Sequence, residues 1–271
     1  MYSSSVGLAV VLAFVFIAAC TSPKNTIGKQ YRSLENAEQQ MADTILLNAL
    51  QQEALYTLLD TLKPMSSVKM YKLPLLSSQS SQRDSALRVL QQVQKVANAL
   101  SNKEVVFVLN PFARGDSIYK LFELYVVRVK QASKKIAQYE AFYSSLGIQP
   151  STAVETLLAV TEFEQRYSRW RSYGYLFGYP AHAVDFFVEA GKTQDSAKKF
   201  VTRNFFQIPV YVGSSGHFTY AIPKDYNPNA TDSAIYHKAV QTLDMFKKIR
   251  PKYTTPSGVK AVQLWRKNVS F

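Results

Sequence analysis

The order of apolar and polar residues predicts a chain of amphipathic helices joined by a few short strands. The most regular helix begins near Ser81, because Asp84 three residues later matches a helix-capping pattern. A second long helix is predicted over residues 33–62, since this stretch contains no glycine or proline and Pro64 follows it. The apolar residues of the first of these helices recur with the spacing of one helical face: Ala86, Val89, Leu90, Val93, Val96, Ala97 and Leu100.

Capping residues and helix breakers predict further helices. Thr152 with Glu155 forms a capping-box pattern that opens a helix running to about Tyr173. Pro180 suits the first position of another helix, and Gly191 suits its end. The predicted ranges are 131–146 (ended by Gly147), 152–173, 180–191, 195–203 and 232–250, the last with Asp232 as its cap.

Runs of β-branched and aromatic residues predict the strands. Residues 105–109 and 118–129 are expected to pair as a hairpin, although a helix from Ile118 onward competes with the second strand. Residues 205–212 and 217–222 flank a Gly-Ser-Ser-Gly turn and predict another hairpin. Short strands are also predicted near 68–73 and 259–265. The fold class expected is α+β: a helix-rich single globular domain with a few short antiparallel strands or hairpins.

The first 22 residues have a different character. The chain is apolar from Val6 to Ala19, and no charged residue precedes Lys24. Such a run falls short of the ~20 residues that a helix needs to cross a bilayer. It fits the apolar region of a secretory signal peptide.

The end of this run resembles the lipobox of bacterial lipoproteins. Ile17, Ala18 and Ala19 match the branched and small residues of that signal, and Cys20 matches its invariant cysteine. The resemblance covers residues 1–22 only. It implies acylation of the Cys20 thiol, cleavage before Cys20 and acylation of the new amine. The mature protein would then be tethered by lipid in the bacterial cell envelope, with the outer membrane facing the periplasm as the simplest location.

Composition supports a folded domain behind such an anchor. The chain is 47% hydrophobic and 13% aromatic, enough to bury a substantial core. Cys20 is the only cysteine, so no intramolecular disulfide can form, and its acylation would exclude thiol catalysis and cysteine-ligated zinc. The domains expected are a signal peptide at 1–19, a flexible tether at 20–32 and a globular domain at 33–271, with a possible subdivision near 147–151.

The net charge of +13 is concentrated near the end of the chain. Residues 192–271 carry 13 basic and four acidic side chains, whereas residues 151–191 carry three and five. A basic surface attracts polyanions. In an envelope protein, anionic lipids or acidic glycans are the expected partners, and nucleic acid is not. A basic surface that serves solubility alone is the competing interpretation.

The region from Glu162 to Glu189 holds the candidate ligand-binding residues. Glu162, Arg166, Arg169 and Tyr173 share the i, i+4, i+7, i+11 spacing of one helical face. His182, Asp185 and Glu189 share a face of the next helix. If the two helices form an antiparallel hairpin, their polar groups could meet at the Tyr179-Pro180 corner in a cleft for a sugar or other polar ligand. The candidates are Glu162, Arg166, Arg169, Tyr173, Tyr179, His182, Asp185 and Glu189.

Simpler interpretations exist for the same residues. Glu162 and Arg166 could form an ordinary i, i+4 ion pair. A metal site at His182, Asp185 and Glu189 is not favoured, because helical zinc motifs usually carry two histidines. No phosphate loop, dinucleotide fingerprint or zinc spacing occurs in the sequence, so no metal or cofactor is expected.

The leading interpretation is therefore a non-enzymatic binding or scaffolding protein of the envelope. The first alternative is a lipid-anchored hydrolase of an envelope glycan or peptide, with acid/base carboxylates among Glu155, Glu162, Glu164, Asp185 and Glu189. The second is a basic adaptor that binds anionic lipid or polysaccharide through residues 192–271.

Overall fold

A computed structural model describes residues 30–113, 115–212 and 218–269. The predicted signal peptide, Cys20 and most of the predicted tether lie outside the described residues, as do Arg114, residues 213–217 and residues 270–271. The buried hydrophobic residues that form the two cores all lie at Leu34 or beyond.

The structure confirms the helix-rich α+β fold class. In the described part of the chain the α-helices are α1 (Asn36–Gln51), α2 (Leu55–Leu58), α3 (Ser80–Leu100), α4 (Val129–Gln138), α5 (Glu140–Ser145), α6 (Val154–Phe163), α7 (Arg166–Leu176), α8 (Ala181–Ala197), α9 (Ala230–Ile249) and α10 (Ala261–Asn268). The strands are β1 (Met65–Pro74), β2 (Val105–Pro111), β3 (Tyr119–Arg128), β4 (Arg203–Ile208), β5 (Phe218–Pro223), β6 (Thr254–Thr255) and β7 (Gly258–Val259).

The main sheet has the order β1-β3-β2, and both strand pairs are antiparallel. The predicted hairpin between β2 and β3 is confirmed, with Phe107 opposite Val126. Leu124 and Val126 belong to one hydrophobic core, whereas Tyr125 and Val127 belong to another. Because successive side chains point to opposite faces of a strand, the central strand β3 is buried on both sides.

The two cores draw mainly on different helices, although α8 contributes Ala183 to the first and Val184 to the second. The first core receives Leu46 from α1, Val96 from α3, Phe246 from α9 and Trp265 from α10. Helices α4 to α8 supply Tyr143, Leu158, Tyr175 and Val184 to the second core, and strands β1 and β2 add Met65 and Val108. The hairpin of β4 and β5, also predicted from sequence, contributes Phe218, Tyr220 and Ile222 to the first core.

Three predicted helices are interrupted. The helix predicted over 33–62 ends at Gln51, because Leu55, Tyr56, Thr57 and Leu58 are all buried and cannot share one face of a continuing amphipathic helix. The helix predicted over 131–146 divides at Tyr139 into α4 and α5. The helix predicted over 152–173 breaks at Glu164 and Gln165, both of which have extended ψ angles.

Three further predictions are wrong. Gly191 does not end a helix, since α8 continues to Ala197 and ends at Lys198 in the left-handed conformation with φ 53°. Residues 198–202 are therefore not helical, and β4 begins at Arg203. The predicted last strand at 259–265 is mainly helix α10. Its buried residues Ala261, Val262, Leu264 and Trp265 have helical spacing.

None of the helices in the described part of the chain combines the length and apolar character needed to span a bilayer.

Candidate ligand-binding site

Helices α7 and α8 pack as an antiparallel hairpin. Contacts run from Gly174 beside Val184 to Trp170 beside Gly191 and then to Arg166 paired with Asp195. A Cβ atom added at Gly174 would lie 2.8 Å from a methyl carbon of Val184. The glycines therefore allow the two helices to approach closely.

A cavity of about 300 Å³ lies between this helical hairpin and the β4–β5 hairpin, and we call it the aromatic cavity. Its walls are Trp170, Tyr173, Gly174, Phe177, Tyr179, Ala183, Val184, Phe187, Phe205, Thr219, Tyr220 and Ala221. Phe205, Thr219 and Ala221 lie on one face of the β hairpin, where Phe205 pairs with Ala221, and Tyr220 belongs to the other face. A concave space with mostly apolar and aromatic walls is typical of sites for small organic ligands.

Aromatic contacts hold the inner wall of the aromatic cavity in place. Tyr173 stacks on Phe177 with 5.7 Å between ring centroids, and Tyr179 stacks on Phe218 at the same distance. The Tyr173 hydroxyl donates to Glu162 Oε2 at 2.6 Å, which fixes the far end of that ring. The cavity wall is thus formed by side chains that are already constrained before any ligand enters.

The rim of the cavity is exposed. Phe187 is 36% exposed and Phe205 is 57% exposed, although both line the cavity. One polar atom of the wall is unusual: Thr219 Oγ1 is buried and has no hydrogen-bond partner among the described residues. A buried hydroxyl without a partner is energetically unfavourable.

A buried ion pair lies behind the aromatic wall. The fully buried Lys63 places Nζ 2.6 Å from Glu53 Oε2 and 4.2 Å from the Phe218 ring centroid. Phe177 and Tyr179, which line the cavity, also lie within cation–π distance of Nζ, at 5.4 and 5.7 Å. Burial lowers the pKa of Lys63, and the neighbouring Glu53 carboxylate opposes that shift.

A second concave space, the polar cleft, lies on the other side of the turn that joins α7 to α8. It measures about 720 Å³. Gly178, Pro180 and His182 line it from the turn and the start of α8. Its other residues are Asp60, Thr61, Leu62, Lys135, Gln138, Tyr139, Ala181, Thr231, Ile235 and Lys238.

His182 is held by a hydrogen-bonded group at the edge of the polar cleft. Its Nε2 lies 3.1 Å from Tyr226 Oη and 3.2 Å from Asp232 Oδ1. Burial raises the pKa of Asp232, but hydrogen bonds from Tyr220, Tyr226 and the Asn229 amide outweigh burial, so this pKa lies below its ordinary value. Asp232 is the third helical residue of α9 in a capping box whose N-cap is Asn229. The expectation that Asp232 itself is the cap is corrected accordingly.

Three of the predicted site residues do meet, although the helix that was expected to align them is broken. Glu162 is buried, and its Oε1 accepts a hydrogen bond from the Ala113 amide at 2.9 Å. Tyr173 donates to the same carboxylate, and Arg169 Nη1 donates to the Glu162 carbonyl at 3.3 Å. This cluster fastens α6, α7 and the loop after β2 together.

The remaining candidates do not converge on the Tyr179-Pro180 corner. Arg166 pairs with Asp195 at 2.8 Å, at the opposite end of the helical hairpin, so the expected Glu162–Arg166 ion pair is absent from the described structure. Asp185 pairs with Arg171, and Glu189 pairs with Lys192 at 2.8 Å. Tyr179 lines the aromatic cavity, whereas His182 faces the polar cleft.

This arrangement bears on the alternative chemistries. Glu162 bonds to Tyr173, Asp185 pairs with Arg171 and Glu189 pairs with Lys192. Within residues 30–113, 115–212 and 218–269, no three side chains of His, Asp or Glu are grouped so that they could hold a metal ion.

Sequence reasoning missed Trp170, Phe177, Phe187 and Phe205, which form much of the aromatic cavity. A partial signal was present, because Trp170, Tyr173 and Phe177 follow the i, i+3, i+7 spacing of one helical face. The opposite wall comes from β4 and β5, and the sequence pattern of α7 cannot predict which strands pack against it.

Comparison with protein-family models, with curated proteins and with solved structures finds no match for this chain. The site geometry and the lipobox resemblance therefore carry the functional assignment.

Proposed function

We propose that this chain is a lipid-anchored protein of the bacterial cell envelope whose domain binds a small, mainly apolar ligand without catalysing its conversion. The aromatic cavity is the observation that carries the binding role. It is bounded by constrained aromatic rings and opens at the partly exposed Phe187 and Phe205.

The dimensions and lining of the cavity define the ligand class. A space of about 300 Å³ lies at the lower end of the range of small-molecule sites. Ring faces and aliphatic groups dominate the walls, so burial of apolar surface would supply most of the affinity.

The anchor proposal rests on Ile17, Ala18, Ala19 and Cys20 and is tested by intact-mass measurement. We expect protein isolated from bacterial membranes to begin at Cys20 and to carry fatty acyl groups. A Cys20→Ser chain should lack those groups. A native chain that begins at Met1 and carries no lipid would overturn the anchor proposal.

The binding proposal is tested with the fluorescent apolar probe N-phenyl-1-naphthylamine. Ala221 lines the cavity beside Phe205, its partner on the neighbouring strand. An Ala221→Leu side chain would therefore occupy the space that the probe needs. We expect about tenfold weaker probe binding or more. Ala159→Leu, at an exposed position on α6, is the matched control and should bind like the native chain. Equal probe affinity for all three chains would overturn the proposal.

A further inference from the structure

Three large apolar side chains lie exposed near the mouth of the aromatic cavity. Phe187, Phe200 and Phe205 are 36%, 63% and 57% exposed. The guanidinium carbon of Arg203 lies 5.0 Å from the Phe200 ring centroid and 5.7 Å from that of Phe187. Arg203 and Phe205 are two residues apart in β4 and so share one face of the strand. These contacts place the three rings on one surface.

This surface is also basic. Residues 192–206 contain four basic side chains and one acidic side chain, Asp195. The Asp195 carboxylate already accepts hydrogen bonds from Arg166 and Tyr167. Lys198 and Lys199 are exposed at the point where α8 ends, next to Phe200. We call Phe187, Lys198, Lys199, Phe200, Arg203 and Phe205 the Phe-Lys surface.

We infer that the Phe-Lys surface docks on a lipid bilayer that contains anionic headgroups. Exposed phenylalanines bury apolar area at the boundary of headgroups and acyl chains, and adjacent lysines are attracted to a negatively charged leaflet. Exposed apolar groups in a soluble domain mark interaction sites when they are clustered. The alternation of phenylalanine with lysine and arginine is complementary to this partner in both polarity and charge.

The inference goes beyond the proposed function, because docking needs neither the acyl anchor nor an occupied cavity. The two surfaces nevertheless share Phe187 and Phe205, so docking would bring the mouth of the cavity to the membrane. An apolar ligand could then pass between bilayer and cavity with little exposure to water.

Vesicle co-sedimentation tests the docking directly. The chain used begins at residue 20 and carries Cys20→Ser, so no acyl group contributes, and it retains every residue of both cores. We expect binding to vesicles of phosphatidylglycerol and phosphatidylcholine that weakens steeply with salt, and much weaker binding to phosphatidylcholine alone. Absence of binding to the anionic vesicles at low salt would overturn the inference.

Matched variants locate the surface. Phe200→Asp should weaken vesicle binding about tenfold, whereas Phe163→Asp, at a phenylalanine that is 66% exposed on α6, should leave it unchanged. Lys198→Glu with Lys199→Glu should also weaken binding about tenfold or more, but Lys247→Glu with Lys248→Glu on α9 should not. If the control variants lose as much vesicle binding as the variants of the Phe-Lys surface, the placement of docking on this surface is overturned.

Two further measurements separate this inference from other outcomes. Phe200 does not line the aromatic cavity, so Phe200→Asp should keep native affinity for N-phenyl-1-naphthylamine, and Ala221→Leu should keep native vesicle binding. Dextran sulfate provides a soluble polyanion without a bilayer. If it binds the native and Phe200→Asp chains equally and displaces the vesicles completely, the surface recognises polyanions in general and the bilayer inference fails.

Discussion

Gly191 lies directly against the indole ring of Trp170, and a Cβ atom added at Gly191 would be only 2.5 Å from Trp170 Cζ3. This contact joins α7 to α8 and holds one wall of the aromatic cavity. The glycine is therefore required by packing in the middle of α8, although alanine is the better helix former.

Gly191→Ala should destabilise the protein by about 1–2 kcal/mol, because overpacking against Trp170 exceeds the gain in helix propensity. Gln194→Ala, exposed on the same helix, should change stability by less than about 0.5 kcal/mol. Urea unfolding measures both values. A Gly191→Ala chain that is more stable than the native one would show that Trp170 can move aside easily.

Thr219→Val should raise stability by about 1 kcal/mol, because it removes a buried hydroxyl that has no hydrogen-bond partner in the described structure. The same change at Thr242 should have the opposite effect, since its hydroxyl bonds to the Asp60 carboxylate and the Lys238 carbonyl. Thermal unfolding of the two variants measures the contrast. Destabilisation by Thr219→Val would mean that this hydroxyl is satisfied in solution.

Lys63→Met should destabilise the protein by about 3 kcal/mol or more, because it removes the cation from a buried ion pair and from the face of the Phe218 ring. Lys192→Met breaks an exposed pair with Glu189 and should change stability by less than about 1 kcal/mol. Chemical unfolding curves distinguish the two. Native stability of Lys63→Met would show that the buried pair contributes nothing to the fold.

Glu123 gives the fold a pH dependence. Burial, followed by the nearby Glu53 carboxylate, raises the pKa of Glu123 to about 7. The folded chain therefore keeps a proton at Glu123 that the unfolded chain has lost above about pH 4.5, so this group makes unfolding easier as pH rises from about 4.5 to 7. Above that range its effect is constant.

Glu123→Gln should remove this dependence. Relative to the native chain, the variant should gain up to roughly 3 kcal/mol of stability between pH 4.5 and pH 8. Urea unfolding of both chains across that range measures the difference. A difference in stability that does not change with pH would show that Glu123 ionises normally in the folded protein.

The elements that the sequence predicts well are those with strong local patterns. Helix α3 has a regular apolar face, and the two hairpins are marked by β-branched runs around turn residues. The break after Gln51 and the continuation of α8 through Gly191 depend on tertiary packing, and nothing in the neighbouring sequence encodes them. The strand predicted at the tail is wrong because Ala261, Leu264 and Trp265 have the spacing of one helical face.

In the candidate site, too, some features follow from the local sequence and others depend on tertiary packing. The turn between α7 and α8 was expected to border a concave site, and it borders both the aromatic cavity and the polar cleft. The polar residues predicted to converge there are instead paired separately, as Arg166 is with Asp195. These pairs join residues on different elements, so helical periodicity cannot predict them. The β4–β5 wall of the cavity also lies outside the two helices and cannot be inferred from their periodicity.

The most direct test of the binding role is to locate a bound apolar probe. Crystals grown with 1-bromonaphthalene would show the bromine position by anomalous diffraction. We predict a peak inside the aromatic cavity, in contact with Trp170, Phe177 and Phe205, and no such peak in Ala221→Leu crystals. Bromine bound elsewhere on the protein, with the cavity empty in both chains, would contradict the proposed ligand site.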